Sequence, residues 1–330
     1  WFAVSGAPPQ WHLCPKDILM EIFSHLSIHT LASTNRACHK WLEAYNEEGL
    51  WQRLCKRDWR YAAHLPKGIP SWKGLYMDLY QYRIVIISGE VTDGKKKLED
   101  VFKKVTTAGG LSPRQVKLIN LRSSDCTLDK VKKEVKGANA VLFWSNQNTY
   151  GPITSDDIGN VLSDYVDCGG GVVLGVFTTA GFPLKGKWAE TDKDPITPKS
   201  QGELKSVGIE FKIKSHPIAK NVHSWKCGTC GYYSTGSVAP GANLIATYEG
   251  TNIPAIVEHK NHKVLALNIY PPSSDARNDF WDASTDGARL LVNSLKYIAG
   301  HYTGPDLDLD DFEFVTPNDE LHEEEPDSSV

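Results

Sequence analysis

The sequence predicts a small all-helical unit followed by a larger α/β domain built on a parallel sheet covered on both faces. Three observations carry this expectation. Apolar residues in the first sixty positions recur at helical spacing. From Tyr82 onward, short apolar strands alternate with amphipathic helices. Those strands are nearly continuous apolar runs, as in strands buried on both sides.

In the helical unit, Ile18, Leu19, Ile22, Phe23 and Leu26 form a first stripe, with Pro15 suited to the first turn. Ala37, Trp41 and Tyr45 form a second, with Asn35 as its cap, and Leu50, Trp51 and Leu54 a third. A unit this short buries too little apolar surface to be stable alone, so spare side chains call for a partner. The ordered elements Leu13-Cys14-Pro15, Ile22-Phe23-x-x-Leu26, Leu31, Cys38-x-x-Trp41 and Leu50-Trp51-x-x-Leu54-Cys55 together resemble the F-box, over roughly residues 11–59. Cys14 separates a Leu and a Pro that the family usually places side by side. The resemblance implies docking onto a Skp-type adaptor, and through it onto the cullin and RING subunits of an SCF-type ubiquitin ligase. The residues it implies for adaptor binding are Leu13, Pro15, Ile18, Leu19, Ile22, Phe23, Leu26, Leu31, Trp41, Leu50, Trp51 and Leu54.

Residues 60–81 read as a linker. Pro66, Gly68, Pro70 and Gly74 break regular structure, and the stripe Trp72, Leu75, Tyr76 and Leu79 is expected to fasten the helical unit to the α/β domain. That domain is expected over 82–300. Its predicted strands are 83–87, 116–121, 140–144 and 172–177, with helices at 98–105, 128–135 and 158–166 between them. Strands at 207–213, 244–248, 255–258 and 264–269 come next, with Lys260-Asn261 turning the last pair into a hairpin. A final helix runs from a Ser284 cap to a Gly300 stop.

Leu162 to Gly175 (with its Gly169-Gly170-Gly171 turn), His216-Pro217-Ile218 and Arg289 to Tyr297 resemble the class I glutamine amidotransferase-like superfamily, especially its ThuA-like branch. The resemblance spans roughly residues 82–300 and implies a flavodoxin-like three-layer α/β/α fold. In catalytic members a Cys nucleophile stands on a tight turn after a central strand, with a His partner. Here that turn reads Phe177-Thr178-Thr179-Ala180-Gly181, without Cys, and Cys168 precedes the strand. The domain is therefore expected to be catalytically inactive and to need no cofactor. It would recognise cargo or a small ligand at the polar carboxyl ends of its strands: Ser88, Gly89, Glu90, Ser145, Asn146, Gln147, Asn148, Thr178 and Thr179. The rival expectation is an active enzyme on a sugar or amide, with the F-box controlling its location or turnover. A titratable pair at the strand ends would favour the rival, and a packed crevice would favour recognition.

Two further motifs invite chemistry. Gly89 to Lys95 fits G-x-x-x-x-G-K, but Lys96 stands where Ser or Thr should hold magnesium, leaving at most an anion-binding helix start. Cys227-Gly228-Thr229-Cys230 lacks a second pair for zinc and reads as a structural loop.

Composition sets the remaining bounds. Seven cysteines in 330 residues do not read as a disulfide framework, and reduced thiols in cytosol or nucleus are expected. No apolar run is long enough to span a membrane, and basic residues are too scattered to predict nucleic-acid binding. The sequence begins at Trp1 rather than Met, leaving room for residues ahead of it. Residues 301–330 hold eleven Asp and Glu and no Lys or Arg, so the body before them carries about +7 against a net charge of −4 overall. With little to bury, this tail is expected to be disordered, with Asp308 to Phe314 able to meet a basic surface.

Overall fold

A computed structural model describes residues 14–26, 30–31, 38–58, 71–81 and 83–299. Leu13, Asn35, Ala37, Gly300 and the acidic tail lie outside the described residues.

The helical unit contains α1 (Lys16–Ser24), α2 (His39–Asn46), α3 (Glu48–Asp58) and α4 (Trp72–Gln81). Its core gathers Leu31 with Leu19 and Phe23 from α1, Ala44 and Tyr45 from α2, Leu50, Trp51, Leu54 and Cys55 from α3, and Tyr76 from α4. Trp51 is the centre. Its ring meets Tyr45 and Tyr76 edge-on, each at 5.2 Å, and its Nε1 donates to the Tyr45 carbonyl at 2.6 Å. Helix ends are closed by neighbours. Arg57 on α3 donates to the Ser24 and Leu26 carbonyls past the end of α1. Glu48 accepts from Ser71 Oγ and from the Trp72 amide at the start of α4. Trp72, Leu75 and Tyr76, read from sequence as linker, thus pack back onto α3 as part of the helical unit.

The α/β domain has an eight-stranded sheet in the order β2-β1-β3-β4-β10-β9-β8-β6. The strands are β1 (Ile84–Ser88), β2 (Val116–Asn120), β3 (Ala140–Trp144), β4 (Gly171–Leu174), β5 (Gln201–Leu204), β6 (Ile209–Phe211), β7 (Gly231–Ser234), β8 (Ala242–Tyr248), β9 (Pro254–His259) and β10 (Val264–Leu267). The first five in sheet order are parallel, and β9, β8 and β6 extend them antiparallel. β5 and β7 form a separate two-stranded ladder.

Strand alternation separates two cores. Ile84, Ile86, Leu142, Trp144 and Val173 face α5 (Gly94–Gly109) and α9 (Gly287–Ala299). Val85, Ile87, Val141, Phe143, Val172 and Leu174 face α6 (Leu128–Lys136) and α7 (Ser155–Asp167). The result is three layers, α/β/α, with a short α8 (Lys187–Glu190) beside α7.

Several boundaries move. α5 begins at Gly94 rather than 98, taking Lys95 to Lys97 into the helix. α7 begins three residues before position 158, because Thr154 and Asp157 form a reciprocal capping box. β4 stops at Leu174 and the chain turns at Phe177. Ser284 does not cap the last helix: its hydroxyl donates to Asp282, and the helix starts at Gly287. Asp286, just before that helix, accepts from the His223 and Ser224 amides and ties a distant loop to it.

The position of Trp51 generates a stability prediction. Trp51→Ala should cost the helical unit about 3–5 kcal/mol, and the α/β core should keep its own unfolding transition. Hydrogen exchange resolved by segment reads both.

Candidate functional site

Two places concentrate the predicted functional residues: the outer face of α1, and the carboxyl ends of the parallel strands.

On α1 the structure sorts the predicted adaptor-binding residues by burial. Leu19, Phe23, Leu31, Leu50, Trp51 and Leu54 are buried inside the helical core. They hold the unit together and present no side-chain surface in this conformation. Leu26 and Trp41 are half-buried, Trp41 standing edge-on to Phe23 at 5.4 Å. Pro15, Ile18 and Ile22 face outward, Ile18 at 48% exposure and Ile22 at 37%. Ile18 and Ile22 are four residues apart, one above the other on one helix face. Leu42 on α2 is also exposed, at 41%, and the sequence reading missed it. Its neighbour Trp41 looked the stronger candidate, yet Trp41 turns toward the core.

At the strand ends, order reverses between β1 and β3, the position where open α/β sheets leave a crevice. This chain fills it. The Tyr150 ring lies flush on Gly89, where an added Cβ would come within 2.6 Å of Ser145 Oγ and closer still to the ring. Tyr150 is buried, and burial pushes its hydroxyl up to about 12. Ser88, Gly89, Glu90, Ser145, Thr178 and Thr179 are all buried, and only Asn146, Gln147 and Asn148 are partly exposed.

The G-x-x-x-x-G-K loop exposes Val91, Thr92 and Asp93 and turns Glu90 inward. Lys97 reaches back from α5 to donate to Glu90 Oε2 at 3.0 Å, both side chains being almost fully buried. The lysine ammonium also stands 5.4 Å from the Tyr270 ring centre and 5.8 Å from that of Phe280. Burial raises the Glu90 carboxyl above its ordinary value, with Lys97 pulling the other way. The lysine nearest the loop's interior therefore meets the chain's own carboxylate, which leaves the anion-site reading without its inward cation. Lys95 points to solvent, 3.8 Å from Glu99.

The turn after β4 keeps a sharp geometry. Phe177 has φ +81°, a left-handed conformation costly for a bulky side chain. Its carbonyl accepts from the Ala180 and Phe182 amides, and its ring packs on Tyr232 at 5.0 Å and Tyr270 at 5.4 Å. The Thr178 hydroxyl is engaged, donating to the Gly175 carbonyl at 2.6 Å. Cys168 lies at the opposite end of β4, exposed. Glu90 Oε1, Trp144 Nε1, Asn146 Oδ1, Asn148 Oδ1 and Thr179 Oγ1 are buried without a hydrogen-bond partner among the described residues, all near these strand ends. Cys227 is buried and accepts from the Val207 amide at 3.2 Å, a packing role for the C-x-x-C loop.

Comparison with known proteins addresses both parts of the chain. Residues 11–57 match the F-box-like family model. No curated protein matches the chain significantly. Among solved structures, a protein described as ThuA-like from Parabacteroides merdae ATCC 43184 aligns at 13% identity over 68% of this chain and 92% of its own, with a TM-score of 0.48. A protein from Thermoplasma acidophilum described as part of a GMP synthase aligns at 10% over 67% and 95%, TM-score 0.41. The glutaminase domain of Trypanosoma brucei CTPS aligns at 9% over 66% and 94%, TM-score 0.35.

The chain thus carries an F-box-like domain ahead of a mostly parallel α/β domain. Two substitutions probe the strand ends. Gly89→Ala should cost about 1–3 kcal/mol, because Tyr150 and Ser145 must both give way. Lys97→Met should cost about 3–5 kcal/mol at pH 7, because it leaves a buried carboxylate unpaired. Glu90's folded pKa is already raised, and losing Lys97 raises it further. The penalty is therefore full above that pKa and fades as pH falls toward the ordinary carboxyl range. Denaturant midpoints at pH 7 and pH 5 read the difference.

Proposed function

We propose that the chain is a substrate receptor of an SCF-type ubiquitin ligase. In this reading the F-box-like domain docks a Skp-type adaptor, and the α/β domain is a catalytically inactive recognition module. The observation that carries it is the pair Ile18 and Ile22, exposed on one face of α1 while Leu19 and Phe23 hold the other face in the core. A single short helix with an apolar outer face is suited to a partner's groove. Support for inactivity comes from the turn after β4. It puts an aromatic ring, not a nucleophile, at the strained residue, and the adjacent hydroxyl is hydrogen-bonded to backbone.

A second reading has one observation in its favour. Glu90 and Lys97 form a titratable pair at the strand ends, as an acid–base enzyme on a sugar or amide would need. Both side chains are closed off from solvent, which weighs toward a structural role. A sugar or amide that raises the unfolding temperature of the wild type, and not of Glu90→Gln, would support the enzyme.

The test is co-expression with a Skp-type adaptor and gel filtration. Wild type should elute as a stoichiometric complex. Ile18→Asp with Ile22→Asp should weaken it by at least about a hundredfold while the helical unit stays folded, since each isoleucine buries about 1.5–3 kcal/mol of apolar surface. Phe23→Asp should instead unfold the unit. A wild-type chain that stays alone, or a double variant that still binds, would overturn the proposal.

A further inference from the structure

A groove of about 580 Å³ opens between α6 and α7, at the end of the sheet opposite the filled strand-end crevice. Ligand sites commonly measure about 300–1,000 Å³. Val135, Val161 and Tyr165 give this one an apolar floor. The floor is preformed. The Tyr165 hydroxyl donates to the Ala138 carbonyl at 3.1 Å, and its ring lies so close on Gly170 that an added Cβ there would strike it. Cys168 stands exposed among the lining residues.

The α6 side of the groove is positive. Lys132 and Lys136 are exposed and form no ion pair among the described residues. The acid in the lining, Asp164 on α7, is held by Lys187 at 2.8 Å. The end of α7 is covered too, since the Asp164, Tyr165 and Val166 carbonyls accept from the Cys168, Gly170 and Gly169 amides. Little of the negative charge beside the groove therefore competes for its two lysines.

Spacing narrows the occupant. Lys132 and Lys136 are four residues apart, about 6 Å along α6. Alternate residues of an extended chain are about 6.6–6.8 Å apart, and the residue between them points to the opposite side. A strand with acids at alternate positions can set two carboxylates against the lysines and turn an apolar side chain toward α7 and the floor. Nucleic acid calls for a basic track with stacking faces, which two lysines beside an apolar floor do not provide.

We infer that this groove binds an extended acidic segment of cargo, with acids at alternate positions and a large apolar residue between them. Its role as a cargo site rests on the receptor reading. The peptide contact itself needs no adaptor, because the groove belongs to the α/β domain.

The test applies a phage-displayed library of random nine-residue peptides to the full chain. Wild type should enrich acids two positions apart with Leu, Ile or Phe between them. Lys132→Glu with Lys136→Glu should enrich Lys and Arg at those positions instead, and an unchanged unfolding temperature shows that this variant is folded. The enriched wild-type peptide, once synthesised, should bind the variant about tenfold more weakly. At ten times its own Kd it should slow alkylation of Cys168 by iodoacetamide about tenfold, read by peptide mass spectrometry, and leave Cys38 in the helical unit unaffected. The same peptides enriched by both proteins, an enriched peptide that leaves Cys168 unprotected, or no enrichment at all would overturn the inference. A chain that binds the adaptor and fails here loses the groove and keeps the receptor reading. A chain that passes here and binds no adaptor loses the receptor reading, and with it the cargo role of the groove.

Discussion

Helix α1 carries apolar side chains on two faces, and the helical unit around it has room for one of them. Leu19 and Phe23 take that room because Trp41, Trp51 and Tyr76 already define its walls. Ile18 and Ile22 are left on the other face. Neither can turn inward without displacing a fully buried neighbour, since a helix shows each face to only one side. The rest of the unit reinforces this choice of face. Arg57 fixes the end of α1, Arg53 reaches Glu21 at 2.7 Å and Lys16 reaches Glu47 at 2.6 Å, tying α1 to its neighbours. Exposed ion pairs of this kind add little stability, but they leave the isoleucines uncovered.

The α/β domain resolves a comparable competition differently. A parallel sheet with crossover helices leaves an opening where strand order reverses, and here the chain's own side chains close it. Tyr150 covers Gly89, while Phe177, Tyr232, Tyr270 and Phe280 pack as an aromatic group beside Glu90 and Lys97. Phe177 holds the strained turn after β4 with its ring inside that group. Several buried polar atoms near that end have no hydrogen-bond partner among the described residues.

Much of the architecture was legible because it follows from period. The runs Ile84–Ile87 and Ala140–Trp144 could only be strands buried on both sides, and the Lys260-Asn261 turn announced the β9–β10 hairpin. Sidedness was not legible. In Ile18-Leu19-Met20-Glu21-Ile22-Phe23 the apolar residues are too dense for periodicity to say which pair faces the core, because that depends on Trp51, some thirty residues away. The same limit hid the fate of Lys97. In sequence it is one of three consecutive lysines after a glycine loop, and only the inward turn of Glu90 singles it out. Helix starts moved where a cap lay outside the apolar stripe, as at Thr154.

The central claim is that the outer face of α1 is a docking surface and that the α/β domain is left free by docking. Amide hydrogen exchange of the chain with and without a Skp-type adaptor tests this most directly. The account predicts slower exchange in α1 and in neighbouring α2 on adding the adaptor, with residues 84–299 unchanged. Unchanged exchange in α1, or protection confined to the α/β domain, would contradict it.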